Sequence, residues 1–146
     1  MNRSNIRQIL SLLILLLLLF GARAAIAGDV VHKLVIQVST DDPRTQSMAL
    51  NNAVNVQKEL GIDNVIIEIV AYGPGLSMLT PKSKASIRVP SLAMQNITFS
   101  ACGNTMHSIE EKTGKPVTLV EGVQIVQAGV VRIMELQEQG YSYVRP

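Results

Sequence analysis

The chain has 146 residues, a formal net charge of +2 and one cysteine. This length fits one folded domain behind a leader segment, and a single cysteine excludes an internal disulfide. Three basic residues, Arg3, Arg7 and Arg23, lie near the start, and the rest of the chain has ten basic and eleven acidic residues, a net charge of −1. So balanced a charge gives no reason to expect a nucleic acid or an anionic membrane as a partner.

The start of the chain has the pattern of a secretory signal peptide, over residues 1–27. Arginines precede an apolar run at residues 9–20, and the Ala-Ile-Ala sequence at residues 25–27 fits a cleavage site. The alternative is an uncleaved membrane anchor, but the run is shorter than the roughly 20 residues that a spanning helix needs. We therefore expect cleavage before Gly28, a periplasmic or secreted protein without stable membrane insertion, and one domain over residues 28–146.

The first predicted strand covers residues 30–38 and is almost continuously apolar. Such runs are typical of strands that are buried on both faces, as in parallel sheets. Asp42 followed by Pro43 predicts the N-cap and the first residue of a helix. Apolar residues then recur at helical spacing up to Leu60, and Gly61 is expected to end the helix.

The second predicted strand covers residues 65–72 and ends at a Gly-Pro-Gly sequence, residues 73–75. We interpret this sequence as a sharp turn, because the glycine spacing of phosphate-binding loops is absent, and a turn that approaches a ligand is the alternative. A short helical turn is expected at residues 76–79. A further helix is expected from Pro81, and Pro90 should end or kink it.

Strand and helix patterns continue to alternate along the rest of the chain. They comprise a strand at residues 97–101, a helix at residues 106–113, a strand at residues 123–126, a helix that ends at Gly140 and an edge strand at residues 141–144. This alternation, without internal repeats, predicts an α/β domain with a mainly parallel sheet.

Cys102 directly follows the third predicted strand and precedes Gly103, Asn104 and Thr105. Asn104 or Thr105 is expected to cap the next helix. Backbone N–H groups at such a turn stabilise an anion, and a thiolate is an anion. The cysteine is therefore a candidate nucleophile, supported by these three residues. A free cysteine is also often a buried, space-filling residue, so both interpretations stay open.

Other polar residues lie near the predicted strand ends. Thr40 and Asp41 follow the first strand, where α/β proteins bind ligands, and are candidates for lining a pocket. His107 lies one helical turn beyond the cysteine and faces either the thiol or solvent. Asp41, Asp42 and Glu121 are interpreted as a helix cap and solvated side chains rather than a metal cluster. We expect no metal and no cofactor.

Five segments carry a family resemblance. They are Val-Ala-Tyr-Gly-Pro-Gly at residues 70–75, Phe-Ser-Ala-Cys-Gly-Asn-Thr-Met at 99–106, Val-Gln-Ile-Val at 123–126, Ala-Gly-Val at 128–130 and Leu-Gln-Glu-Gln-Gly-Tyr-Ser-Tyr at 136–143. Together they resemble the DsrE/DsrF-like family, and more narrowly its exported members with a single cysteine. The resemblance extends over nearly the whole mature chain, and its most specific parts are Cys-Gly-Asn-Thr and Gln-Gly-Tyr.

The resemblance implies a three-layer, flavodoxin-related α/β fold of about five strands, assembled as a homo-oligomer, either a trimer or a hexamer. In related sulfur-relay proteins, a cysteine at the matching strand end accepts sulfur as a persulfide and passes it on, and only Cys102 takes this role. The predicted function is therefore an exported sulfurtransferase or persulfide carrier, whose donor or acceptor is a protein or a small sulfur compound. The alternative is a non-catalytic oligomeric binding or assembly module with a structural cysteine.

Overall fold

A five-stranded, all-parallel β-sheet organises the protein, whose computed structural model describes residues 31–146. The strands are β1 (His32–Val38), β2 (Val65–Ala71), β3 (Ile97–Cys102), β4 (Val123–Val126) and β5 (Ser142–Val144). Their order across the sheet is β4-β3-β2-β1-β5, with every neighbouring pair parallel. The predicted α/β fold with a parallel sheet is confirmed, and the last strand lies at an edge, as expected. The predicted signal peptide lies outside the described residues.

Helices cover both faces of the sheet, which gives three layers. They are α1 (Pro43–Leu60), α2 (Val89–Ala93), α3 (Gly103–Thr113) and α4 (Gly129–Glu138), with 3₁₀-helices at Gly73–Leu79 and Ala85–Arg88. The first three α-helices and both 3₁₀-helices pack on one face, and α4 packs on the other. No helix among residues 31–146 is long and apolar enough to cross a membrane.

The first helix begins and ends where the sequence predicts. The Asp42 carboxylate accepts hydrogen bonds from the Thr45 backbone N–H at 2.8 Å and from the Thr45 hydroxyl at 2.7 Å. Pro43 is the first helical residue, where a backbone N–H would have no partner within the helix. The predictions of this cap and of the stop at Gly61 are confirmed.

The segment after β2 differs from its prediction. No helix begins at Pro81, because the chain forms turns there before the 3₁₀-helix at Ala85–Arg88. Pro90 lies in the first turn of α2 instead of ending a helix. Proline is tolerated there, since its missing N–H is one that the helix would leave unpaired. The expectation of a helix from Pro81 that Pro90 ends or kinks is therefore wrong.

Candidate functional site

Cys102 is the last residue of β3 and the N-cap residue of α3, which begins at Gly103. The cysteine therefore lies at the carboxyl end of the sheet, where parallel α/β proteins present functional groups. The helix starts earlier than the predicted Met106, so Asn104 and Thr105 lie inside its first turn rather than capping it. The Cys102 side chain is a free thiol and is only 5% exposed.

Four polar groups near Cys102 lower the pKa of its thiol. Burial is the largest single influence and raises the pKa of the thiol. The Thr105 hydroxyl and the backbone N–H groups of Gly129, Thr105 and Asn104 lower it, and together they bring the pKa of Cys102 below its ordinary value. A cysteine buried among apolar atoms has a raised pKa, so this environment favours the thiolate to a degree that simple burial does not.

The Thr105 hydroxyl is held in place from the opposite side. Its oxygen accepts a hydrogen bond from the backbone N–H of Gly73 at 2.9 Å. Because that N–H occupies an acceptor position, the hydroxyl hydrogen remains available for the sulfur of Cys102. The Gly-Pro-Gly segment, which the sequence suggested to be a plain turn, thus orients one donor of the site.

Two glycines allow the close packing around the sulfur. A Cβ atom on Gly129 would lie 3.1 Å from the Tyr72 Cβ atom and 3.3 Å from the Cys102 Cβ atom. A Cβ atom on Gly103 would lie 3.2 Å from the Val126 carbonyl oxygen. Gly103 therefore serves the site by having no side chain, whereas Gly129 also supplies an N–H group.

The Asn104 N–H group donates to the Gln127 carbonyl oxygen at 3.1 Å. It also has the smallest influence of the four groups that lower the pKa of Cys102. It also ties the start of α3 to the segment that follows β4.

Three cavities lie around this edge of the sheet. One of about 450 Å³ is lined by Gly73, Pro74, Asn104, Thr105, Ser108, Ile109 and Lys112. A larger one of about 760 Å³ adjoins it, and a third of about 290 Å³ lies at the start of α4. Cys102 does not line these three cavities, whereas Thr105, whose hydroxyl lowers the pKa of the thiol, lines the first of them.

The other sequence candidates lie away from the sulfur. Thr40 and Asp41 follow β1, which is separated from β3 by β2. The Thr40 hydroxyl oxygen accepts from the Asp42 N–H, and neither residue lines the three cavities, so their role in a pocket stays a prediction. His107 is 73% exposed, and its Nε2 atom lies 3.2 Å from Glu111, so it faces solvent rather than the thiol.

A partly buried polar cluster on the α4 face was not predicted from the sequence. Arg132 binds Glu68 with two hydrogen bonds of 2.8 Å, and the Ser100 hydroxyl donates to the same carboxylate at 2.6 Å. The Gln124 amide donates to the Ser100 oxygen at 2.9 Å. The bonds from Glu68 raise the pKa of Arg132 above its usual range, so the guanidinium stays charged. Glu68, a single charge in an apolar strand, was the sequence signal for such a partner.

Metal-ligating residues do not cluster in the described part of the chain. Among residues 31–146, no three His, Cys, Asp or Glu side chains lie close enough together to hold a metal ion.

These features define a class: an α/β protein with an all-parallel sheet and a buried thiol at the sheet's carboxyl edge, at the start of a helix. The chain matches no protein-family model and no curated protein. It is similar to the solved structure of MTH1491, a protein of unknown function from Methanobacterium thermoautotrophicum, with 32% sequence identity and a TM-score of 0.70. The match covers 79% of this chain and 99% of that one, so the chain belongs to the same family as MTH1491.

Proposed function

We propose that this is an exported sulfur-handling protein of the DsrE/DsrF-like kind, in which Cys102 carries sulfur as a persulfide. The observation that carries the proposal is the place of Cys102 at the end of β3 and the start of α3, where the Thr105 hydroxyl and nearby backbone N–H groups lower the pKa of its thiol. Polar N–H and hydroxyl groups at such a helix start stabilise a thiolate, which is the nucleophile that sulfur transfer needs. The resemblance of the segments around Cys102 and Gly129 to exported, single-cysteine relatives supports the same role.

The transfer needs no oxidant and no metal. The Cys102 thiolate attacks the outer sulfur of a donor persulfide, and the bond between the two donor sulfurs breaks. The donor leaves as a thiolate, and Cys102 becomes a persulfide that retains the donor's proton or releases it to solvent. The reverse sequence, with an acceptor thiolate attacking the outer sulfur, returns Cys102 to its starting state.

The low exposure of Cys102 favours a second candidate, a non-catalytic binding or assembly module with a structural cysteine. Its assembly surface would include the outer side of α4, where Val130, Val131 and Met134 are each about half exposed. Homo-oligomerisation through this surface is compatible with both candidates, and sedimentation of the purified protein tests it. A monomer at micromolar concentration would argue against it.

The test of sulfur carriage is the reactivity of Cys102 in the folded protein. We expect alkylation with a midpoint pH below about 8.5, the ordinary value for a cysteine thiol. We also expect incubation with inorganic polysulfide to add the mass of one or more sulfur atoms, and the Cys102→Ser variant to gain none. A thiol that reacts only after denaturation would overturn the proposal and favour the structural cysteine.

A further inference from the structure

The two cavities on the α3 side of the site form one groove. They share Gly73, Pro74 and Ile109 as lining residues, so the smaller cavity beside Thr105 opens into the larger one. We call this combined space the α3 groove. Its larger part, about 760 Å³, falls within the roughly 300–1,000 Å³ of sites for small organic ligands.

Hydrogen bonds fix the walls of the α3 groove. The Val120 N–H donates to the Leu79 carbonyl at 3.0 Å, which joins the loop after α3 to the 3₁₀-helix on the other side. The Val117 N–H donates to the Glu110 carboxylate at 3.1 Å, which holds the same loop against α3. The groove is therefore formed without a ligand, and binding would cost little ordering of the chain.

The charge of the α3 groove has one sign. Lys82, Lys112 and Lys115 line it, and no aspartate or glutamate is among its lining residues. No salt bridge found among residues 31–146 involves these three lysines. The floor is apolar, with Leu76, Ile109 and Val117 among its lining residues. Three cationic side chains around an apolar floor are complementary to an organic anion.

The inner end of the α3 groove reaches the candidate site. Thr105 lines the groove, and its hydroxyl is near enough to Cys102 to lower the pKa of that thiol. A ligand that lies along the groove therefore ends one side chain away from the thiol. An inorganic sulfur anion would leave most of this volume and the apolar floor unused, so the groove fits a larger, organic molecule better.

We infer that the α3 groove binds a small organic thiol with one or more carboxylates, as the persulfide that donates sulfur to Cys102 or as the thiol that accepts it. This inference rests on the proposed function. The carboxylates lie against the lysines, and the sulfur end lies against Thr105. In the donor direction, the outer sulfur moves to the Cys102 thiolate, and the ligand leaves as its thiolate.

The test uses glutathione, a thiol with two carboxylates, and its persulfide as probes. The variant K82Q/K112Q/K115Q removes the three charges, and Lys58→Gln on α1, outside the α3 groove, is the matched control. We expect the triple variant to bind glutathione about tenfold more weakly by calorimetry, and to take sulfur from glutathione persulfide about tenfold more slowly. Lys58→Gln should match the native protein, and added salt should weaken native binding.

A second reagent separates the two proposals. Iodoacetamide is small and uncharged, so its reaction with Cys102 should be equal in the triple variant and the control, and equal midpoints of urea unfolding show that both are folded. If the two variants bind glutathione equally and take sulfur at equal rates while the thiol stays reactive, the proposal that the α3 groove binds the ligand is overturned, and the proposed function of Cys102 is not. Binding of an acidic peptide in place of glutathione would also overturn the proposal for the α3 groove, in favour of a protein partner. A thiol that is inert to every reagent would overturn the proposed function itself.

Discussion

The two faces of the sheet are built differently. The face under α1 has a continuous apolar core, in which side chains such as Ile36, Leu50, Ile69 and Phe99 are fully buried. The face under α4 has a much smaller apolar cluster, and beside it the buried side chains of Glu68 and Ser100. Successive side chains of β3 point to opposite faces of the sheet. Phe99 and Ala101 point to the apolar face, so Cys102 lies on the polar face.

The two faces contribute differently to the free energy of unfolding. Burial of apolar area is the main stabilising contribution in folding, and most of it lies on the α1 face. The α4 face holds its polar groups through specific hydrogen bonds, which stabilise only while every partner is present. We therefore expect apolar substitutions on the first face to change stability most and loss of a charged partner on the second to change it less, whereas substitution of a group beside Cys102 should change the reactivity of the thiol without unfolding the protein.

The largest effect is expected from Phe99→Ala on the apolar face. Phe99 is fully buried, and removal of its ring should lower the free energy of unfolding by about 3–5 kcal/mol, because a cavity replaces the lost contacts. Val70→Ala, in the small cluster under α4, is the comparison and should cost about 2 kcal/mol. Urea unfolding measures both, and equal costs would contradict the assignment of the main core to the α1 face.

The next effect is expected from Arg132→Met on the polar face. Glu68 is 4% exposed, and loss of its partner leaves a buried carboxylate unpaired, at a cost of about 3 kcal/mol. The double variant E68M/R132M removes both charges and should recover most of that loss. Chemical unfolding of the two single variants and the double variant completes the cycle. Additive costs would show that the pair does not act as a unit.

The smallest effect on stability, and the clearest effect on chemistry, is expected from Thr105→Val. The variant loses a donor that lowers the pKa of Cys102, so the pKa should rise and alkylation at pH 7 should slow by about threefold to tenfold. Thr105→Ser keeps the hydroxyl and is the matched control. Alkylation rates measured against pH check the prediction, and coincident profiles for the valine and serine variants would contradict it.

The lowered pKa of Cys102 also predicts a pH dependence of stability. The unfolded chain binds the thiol proton more tightly than the folded chain does, so ionisation stabilises the fold. This contribution is fully present above the unfolded pKa, about 8.5, and is lost as the pH falls through the lower folded pKa. The Cys102→Ser variant should lack it, which unfolding of both proteins across this pH range would reveal.

Much of the fold follows from local sequence patterns. The apolar strands, the cap at Asp42 and the position of Cys102 at the end of a strand each depend on a few neighbouring residues, and the structure contains them as predicted. Local patterns did not predict the helix bounds where the same residues are compatible with either a helix start or a helix end. Pro90 fits a helix start as well as a helix end, and the packing of α2 against the sheet decides between them.

The sequence by itself determined the class of fold, because the alternation of apolar strands with amphipathic helices requires a parallel sheet covered by helices. Only the tertiary structure decided what surrounds the thiol. Cys102 pairs in register with Val126, so the start of α4 lies beside it and Gly129 packs against its side chain. The Gly73 N–H reaches the Thr105 hydroxyl across a similar gap in sequence. Both contacts join distant parts of the chain, and no local pattern of residues specifies them.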